Sequence, residues 1–341
     1  MKIRVAIGLA ISAVFVYLAF KDVNFDEMLH ALVNANYRWL FPASVAMLLS
    51  HWFRALRWRF IMEPIKPVKV GSLFSALMIG YASNNIFPLR LGEFLRAYAI
   101  AKSQNISKTS AFATVVVDRL LDILSLLLVL AITVFLYPMP QNIKNWGYAV
   151  SVATVGLIVF MVFLMEKTDA TVRLLEKIMP GRVFGIVQKV VRSFLQGFMV
   201  FKKSEHYLSI LVLSLAVWFL YAVVVYLSFF AFNFTENYGV GLYESLVVLV
   251  IISIGLMIPS SPGFVGTYHW FCMKSLSLFG IPESEALSFA VISHALNTIP
   301  FTIVGLLYFW KENLHLSDAV SEKEAVKQAA GPETLPDSPD A

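Results

Sequence analysis

Apolar residues along this chain come in long blocks rather than in the alternation of a water-soluble protein. Uncharged or nearly uncharged stretches cover 5–20, 39–62, 110–137, 146–165, 207–232 and 286–310, and about 20 such residues are needed to cross roughly 30 Å of hydrocarbon. Six membrane-spanning helices are predicted from them. Two further apolar regions, 71–101 and 242–280, are interrupted by Pro88 and Gly92, and by Pro259, Pro262, Gly263 and Gly266. Each reads as a hairpin of short limbs. The return limb of the first, Leu91 to Ala101, makes roughly 16 Å of helix, half a bilayer, and is expected to re-enter rather than span. The limbs of the second, about 17 residues each, are long enough to cross. The predicted fold class is an all-α polytopic membrane protein with about six full spans and two broken re-entrant hairpins.

The order of these pieces repeats. Span 39–62, a hairpin and span 110–137 match span 207–232, a hairpin and span 286–310, with opposite orientation. The hairpin tips share a spacing: Pro88-Leu-Arg-Leu-Gly92-Glu93 beside Pro262-Gly-Phe-Val-Gly266-Thr267. Pro-x3-Gly alone is weak, but interrupted segments in corresponding positions of two inverted halves are a transporter-like arrangement. The expected units are a membrane half at 1–165, a connector at 166–206, a second membrane half at 207–315 and a tail at 316–341. In the connector, Val183, Phe184, Val187, Val190, Val191, Phe194, Leu195 and Phe198 recur at helical spacing among basic residues. It reads as an interfacial helix on anionic lipid, or as a helix packing on the end of the bundle. The tail is rich in Ser, Glu, Lys, Ala and Pro and is expected to be disordered.

Composition narrows the function. With 58% hydrophobic and 14% charged residues and a mean hydropathy of +0.73, a soluble protein is excluded. The single cysteine, Cys272, permits no internal disulfide and no Cys/His metal site, so neither a metal nor any other cofactor is expected. A net charge of +5 speaks of loop orientation and anionic lipid rather than nucleic acid. Val5 to Phe20 imitates a signal peptide, but no small-residue cleavage site follows, and it is kept as a membrane helix. Both termini are placed in the cytoplasm, because Arg54, Arg57, Arg59, Lys66, Lys69, Arg96, Lys102, Lys108 and the basic residues between Lys167 and Lys203 then share one side. The expected location is the cytoplasmic (inner) membrane.

Ionisable groups inside spans are costly unless paired or hydrated, and so mark candidate sites. Asp118 and Asp122 share a helical face, and Arg119 can pair with Asp122 at i, i+3. Arg90, Glu93 and Arg96 step by three along the first hairpin's return limb. A guanidinium fork suits a phosphate group, and a half-helix beginning after Pro88 aims free N–H groups at an anion. The bland alternative is that these ion pairs only tie the hairpin to the bundle. Asn84 and Asn85 are expected to cap backbone freed by the proline. Ser260, Ser261, Thr267, Tyr268 and His269 offer hydrogen-bonding groups at the second tip, where simple helix packing is the rival reading. His294 and Asn297 are candidates for a proton relay, against ordinary hydrogen bonding. Lys274 is read as snorkelling and His51 as capping the Arg54, Arg57, Arg59 belt.

At these residues the chain resembles the lysylphosphatidylglycerol synthase transmembrane-region family, a flippase-like membrane domain found alone or fused to an aminoacyl-transferring domain. The matching stretches are Asn84-Asn-Ile-Phe-Pro-Leu-Arg-Leu-Gly-Glu-Phe-Leu-Arg96, Val117-Asp-Arg-Leu-Leu-Asp122 and Ile258-Pro-Ser-Ser-Pro-Gly-Phe-Val-Gly-Thr267. After the second proline, where members of that family typically carry Gly-Gly, this chain has Gly263-Phe264. The resemblance implies lipid translocation in the cytoplasmic membrane, with Arg90, Glu93, Asp118, Arg119 and Asp122 as family-like polar features.

The first functional expectation is therefore a flippase for a polar or phosphate-headed lipid. Arg90, Glu93, Arg96, Asp118, Arg119, Asp122, Ser261 and Thr267 are its candidate substrate-binding residues, and Glu93, Asp118 and His294 its candidates for proton coupling. No catalytic residue is assigned. The rivals are an intramembrane prenyl or sugar transferase holding Mg²⁺ on Asp118 and Asp122, and a non-catalytic membrane partner of a lipid-modifying enzyme. Expected partners are a lipid substrate, the membrane, such an enzyme and further copies of the chain.

Overall fold

A computed structural model describes residues 2–87, 91–136, 206–258 and 260–312, with the isolated positions 152 and 156. Among them the structure is helical and contains no strand. The predicted span 146–165, the connector, the tail and Arg90 lie outside the described residues. The first four helices are α1 (Lys2–Phe20), α2 (Phe25–Asn34), α3 (Leu40–Met62) and α4 (Val70–Ile86). They are followed by α5 (Gly92–Gln104), α6 (Lys108–Leu136), α7 (Tyr207–Ala231) and the single turn α8 (Phe234–Tyr238). Last come α9 (Leu242–Gly255), α10 (Thr267–Ser277) and α11 (Glu283–Lys311).

The predicted apolar spans and the observed helices agree within a few residues wherever both can be compared. Two helices, α7 and α11, are long and apolar enough to cross a membrane by length and composition. A third qualifies if α1 and α2, bent 86° from each other, are taken as one broken span. Helices α3 and α6 have 23 and 29 residues but carry charges in mid-helix. Large apolar side chains stand exposed along Phe41, Val45, Leu48, Leu49 and Trp52 of α3, Leu208, Leu211, Val212, Leu215 and Phe219 of α7, and Ile299, Ile303, Leu306 and Leu307 of α11. In water such a belt would be a large liability; acyl chains are its natural solvent.

Two expectations need correction. The limbs of the second hairpin are 14 and 11 residues, not about 17, because unwound backbone between Leu256 and Gly266 takes up the difference. At 1.5 Å per residue they reach roughly 21 Å and 16 Å, short of a full crossing. Residues 25–34, outside every predicted span, form the amphipathic helix α2. The Asn24 side chain caps it by accepting from the Asp26 and Glu27 amides, a cap that a short polar stretch conceals. Hydrogen bonds from the Asn24 amide to Ser284 Oγ (3.1 Å) and from Ser288 Oγ to the Met28 carbonyl (2.9 Å) tie this helix to α11.

Packing crosses the chain's midpoint. Helix α3 lies along α7, α4 along α11 and α6 along α9, while α4 packs on its hairpin partner α5, and α9 on α10. Close approach is possible where glycine removes the side chain. A Cβ on Gly305 of α11 would strike the Met78 carbonyl of α4, and one on Gly92 would strike the Gly80 carbonyl across the first hairpin. Gly266 has φ +86°, and a Cβ there would press on Ser12 and Val16 of α1. The N-terminal helix is thus seated directly on the second tip, where Ser12 Oγ donates to Ser261 Oγ at 2.8 Å.

Candidate functional site

The predicted charges converge. Helix α6 directs Asp118 and Asp122 to one face, as their i, i+4 spacing requires, and α5 brings Glu93 and Arg96 against that face. The structure adds two residues that the sequence reading assigned to a basic cytoplasmic belt, Arg54 and Arg57 of α3. Arg57 Nη2 lies 2.5 Å from Asp118 Oδ1 and 2.6 Å from Asp122 Oδ1. Arg54 Nη2 lies 3.2 Å from Asp118 Oδ2 and also bonds Asp122 Oδ2. Arg96 Nη2 reaches Asp118 Oδ2 at 3.0 Å. On the more open side, Arg119 Nη1 contacts Asp122 Oδ2 at 3.5 Å and its Nε lies 3.3 Å from Glu93 Oε1.

Arg54, Arg57, Arg96 and Asp118 are at most 5% exposed. Arg54 and Arg57, expected among the basic residues of the cytoplasmic side, stand with Arg96 inside the bundle, where a buried arginine is stabilised by pairing with carboxylates. The clue was present in the sequence. Arg54 and Arg57 are three apart in the same predicted span, two turns before its end, and face two aspartates four apart in another. Neighbours orient them further. Arg57 Nη1 donates to Ser214 Oγ of α7 at 3.1 Å, and Arg54 Nη1 to Tyr221 Oη of α7 at 3.4 Å. The Arg96 guanidinium lies 5.1 Å from the centre of the Trp58 ring. Four arginines against three carboxylates leave the described cluster with one positive charge. Arg96 Nε and Nη1 find no acceptor among the described residues, and Arg96 borders a crevice too narrow to admit a water, lined by Leu77, Gly80, Tyr81, Asn84, Gly92, Arg96 and Arg119.

Asn84 accepts from the Gly92 amide at 2.8 Å, the cap expected of it, bridging the break between α4 and α5. Asn85 behaves differently and donates to Thr302 Oγ1 of α11 at 2.8 Å. His51 does not cap an arginine belt; it is buried between Tyr81 and Phe301, with ring centres 4.6 Å and 4.4 Å away. Lys274, half-exposed, directs its ammonium to Glu283.

The second-tip candidates gather some way round the bundle. His294 Nε2 is 2.7 Å from the Gly263 carbonyl. His269 Nδ1 accepts from the Gly266 amide at 3.3 Å. Tyr268 Oη donates to Ser293 Oγ (3.1 Å) and accepts from Asn297 Nδ2 (3.4 Å). Thr267 is buried, and its hydroxyl, like that of Ser260, has no partner among the described residues. A cavity of about 250 Å³ opens here, lined by Asn85, Tyr221, Gly263, Phe264, Tyr268, His294, Asn297 and Thr298 with Met47, Val224, Val225, Leu249, Ile252, Ser253 and Leu256. Ser261 and Thr267 lie outside its lining. Two residues join the cavity to the charged cluster: Tyr221, which receives the Arg54 hydrogen bond, and Asn85, next in sequence to the crevice residue Asn84.

Membrane proteins are among the chain's relatives. A UPF0104 membrane protein of Methanothermobacter thermautotrophicus is 26% identical over 90% of this chain and 95% of its own. A UPF0104 membrane protein of Methanocaldococcus jannaschii is 24% identical over the same shares. The glycosyltransferase AglD of Haloferax volcanii is 24% identical over 96% of this chain but only 57% of its own length. The family model for the lysylphosphatidylglycerol synthase transmembrane region matches residues 5–305, a stretch that holds the charged cluster, both hairpins and the cavity, and the chain belongs to that family.

Proposed function

We propose that this protein carries a lipid with an anionic, phosphate-bearing headgroup across the cytoplasmic membrane. The observation that carries the reading is the buried cluster of Arg54, Arg57, Arg96 and Arg119 with Glu93, Asp118 and Asp122, which keeps one uncompensated positive charge and free Arg96 donors. An anion is the group that such a surplus attracts. Arg90, Arg96 and Arg119 hold the phosphate, while the acyl or prenyl chains remain in lipid. Glu93, Asp118 and His294 are the candidates for coupling the movement to protons.

The packing supports an inverted repeat. In the two halves α3–α4–α5–α6 and α7–α9–α10–α11, a two-fold relation makes the contact of α4 with α11 the counterpart of that of α6 with α9, and both occur. It pairs α3 with α7, which also pack together. Rocking between such halves alternates access to a central site. The charges that keep α3 and α6 from counting as apolar spans are paired with each other, which supports reading both helices as spans.

The relative named a glycosyltransferase favours a second reading, transfer chemistry on a lipid phosphate. It fits less well, because the oxygens of Asp118 and Asp122 are engaged by arginines rather than turned to a divalent cation.

The test is lipid movement by the purified protein in liposomes, with fluorescent phospholipids and a polyprenyl phosphate analogue. Wild type should exceed protein-free vesicles. Arg119→Gln should slow movement about tenfold, the loss expected from one charge-assisted hydrogen bond, and Lys21→Gln should leave it unchanged. Background rates for a folded wild type would sink the proposal.

A further inference from the structure

The cavity beside the charged cluster is unlike the cluster in its chemistry, and the difference says what else the headgroup contains. Among the described residues no arginine, lysine or carboxylate lines it, and the ionisable groups there are His294, already engaged with the Gly263 carbonyl, and the phenols of Tyr221 and Tyr268. Its walls are aliphatic and aromatic, with amides and hydroxyls from Asn85, Asn297, Thr298 and Ser253. At about 250 Å³ it is smaller than the roughly 300–1,000 Å³ of pockets for drug-sized ligands, and suits a single ring rather than a chain.

Asn297 makes the choice of ligand sharper. Its Nδ2 donates to Tyr268 Oη, while its Oδ1 is buried and finds no donor among the described residues. An orphaned buried acceptor calls for a ligand donor. An ionised phosphate, which only accepts, cannot serve it; a hydroxyl can. A cationic head has donors, but no carboxylate lines the cavity to balance its charge.

Resting on the translocator reading, we infer that the cavity holds a neutral sugar attached to the lipid's phosphate, so that the substrate class is a glycosylated lipid phosphate. The phosphate lies toward the arginines, and the ring occupies the space bounded by Tyr221, Phe264 and Asn297. A hydroxyl of that ring donates to Asn297 Oδ1, and the aromatic walls cover the ring's C–H faces. Asn84 and Asn85, on the arginine crevice and on the cavity respectively, mark the two ends of such a head.

The experiment is binding to purified protein in detergent, read by native mass spectrometry. The probes are a short polyprenyl phosphate, the same lipid with one hexose on its phosphate, and a phosphatidylglycerol carrying a lysyl group. Wild type should bind the hexosyl lipid about tenfold more tightly than the bare lipid phosphate, the effect of filling an orphaned buried acceptor. Asn297→Leu should erase that preference while keeping the bare lipid phosphate bound, and Phe264→Ala should reduce it, giving a second variant should the first not fold. Equal affinity of wild type for bare and hexosyl lipids, preference for the lysyl head, or preference surviving in both variants would overturn the inference. Because binding is read apart from movement, a sugar preference without transport would refute the translocator reading alone, and transport without a sugar preference would refute this inference alone.

Discussion

Three guanidinium groups meet at Asp118, which has no exposed surface to relieve them if its charge is lost. Removing one partner of a buried ion pair costs about 3–5 kcal/mol, because the remaining charge stays buried. Asp118→Asn should therefore sharply lower the folded yield and thermal midpoint, measured by size-exclusion of a fluorescent fusion. Asp122→Asn should cost less, since that carboxylate is 15% exposed. Combining Asp118→Asn with Arg57→Gln should recover part of the loss by restoring the charge balance. At this scale the sequence was legible where a charge stood alone in an apolar run, as at Asp118, Arg119 and Asp122. It misled at Arg54 and Arg57, because an arginine within two turns of a predicted helix end reads equally well as part of a basic cytoplasmic face. Only the position of α6 against α3 decides between the two, and that is a tertiary fact.

Among elements, the hairpins show how far punctuation reaches. Pro88, Gly92, Pro262 and Gly266 marked both breaks, since proline and glycine act on the backbone locally. The limb lengths of the second hairpin did not follow, because an apolar run does not reveal how much of it is unwound. Glycine at α4–α11 is argued by contact: Gly305→Ala should destabilise the protein strongly, its Cβ meeting the backbone carbonyl of Met78, whereas Gly71→Ala, with open space around it, should be close to neutral. Thermal unfolding of the two variants compares them directly. With Cys272 replaced by Ala, single cysteines at Asn84 and Ser261 test the inverted arrangement. A membrane-impermeant thiol reagent should label the first from the cytoplasmic side and the second from outside; labelling of both from one side would contradict it. Helix α2 escaped notice because ten residues with charges in the first turn are too short to read as a span.

The whole molecule is joined across its two halves, by α3 on α7, α4 on α11 and α6 on α9. Its ionic centre is shielded from solvent, and buried pairs are screened far less than surface ones. The thermal midpoint should therefore change little between about 50 mM and about 500 mM salt, over which surface attraction fades as the screening length shortens. A steep decline would place the stabilising charges at the surface. The all-helical membrane architecture was legible from composition and block length, which report the solvent a chain is built for. The cross-packing was not, since it depends on which faces meet. The shared carboxylates of α6 also bear on how the protein is made. When α3 leaves the ribosome it carries two arginines that lipid will not accept, and the residues that neutralise them are some sixty positions behind. Integration of α3 must then wait, held at the insertion machinery or at the membrane surface, until α6 arrives, so the third helix enters the bilayer as half of a pair.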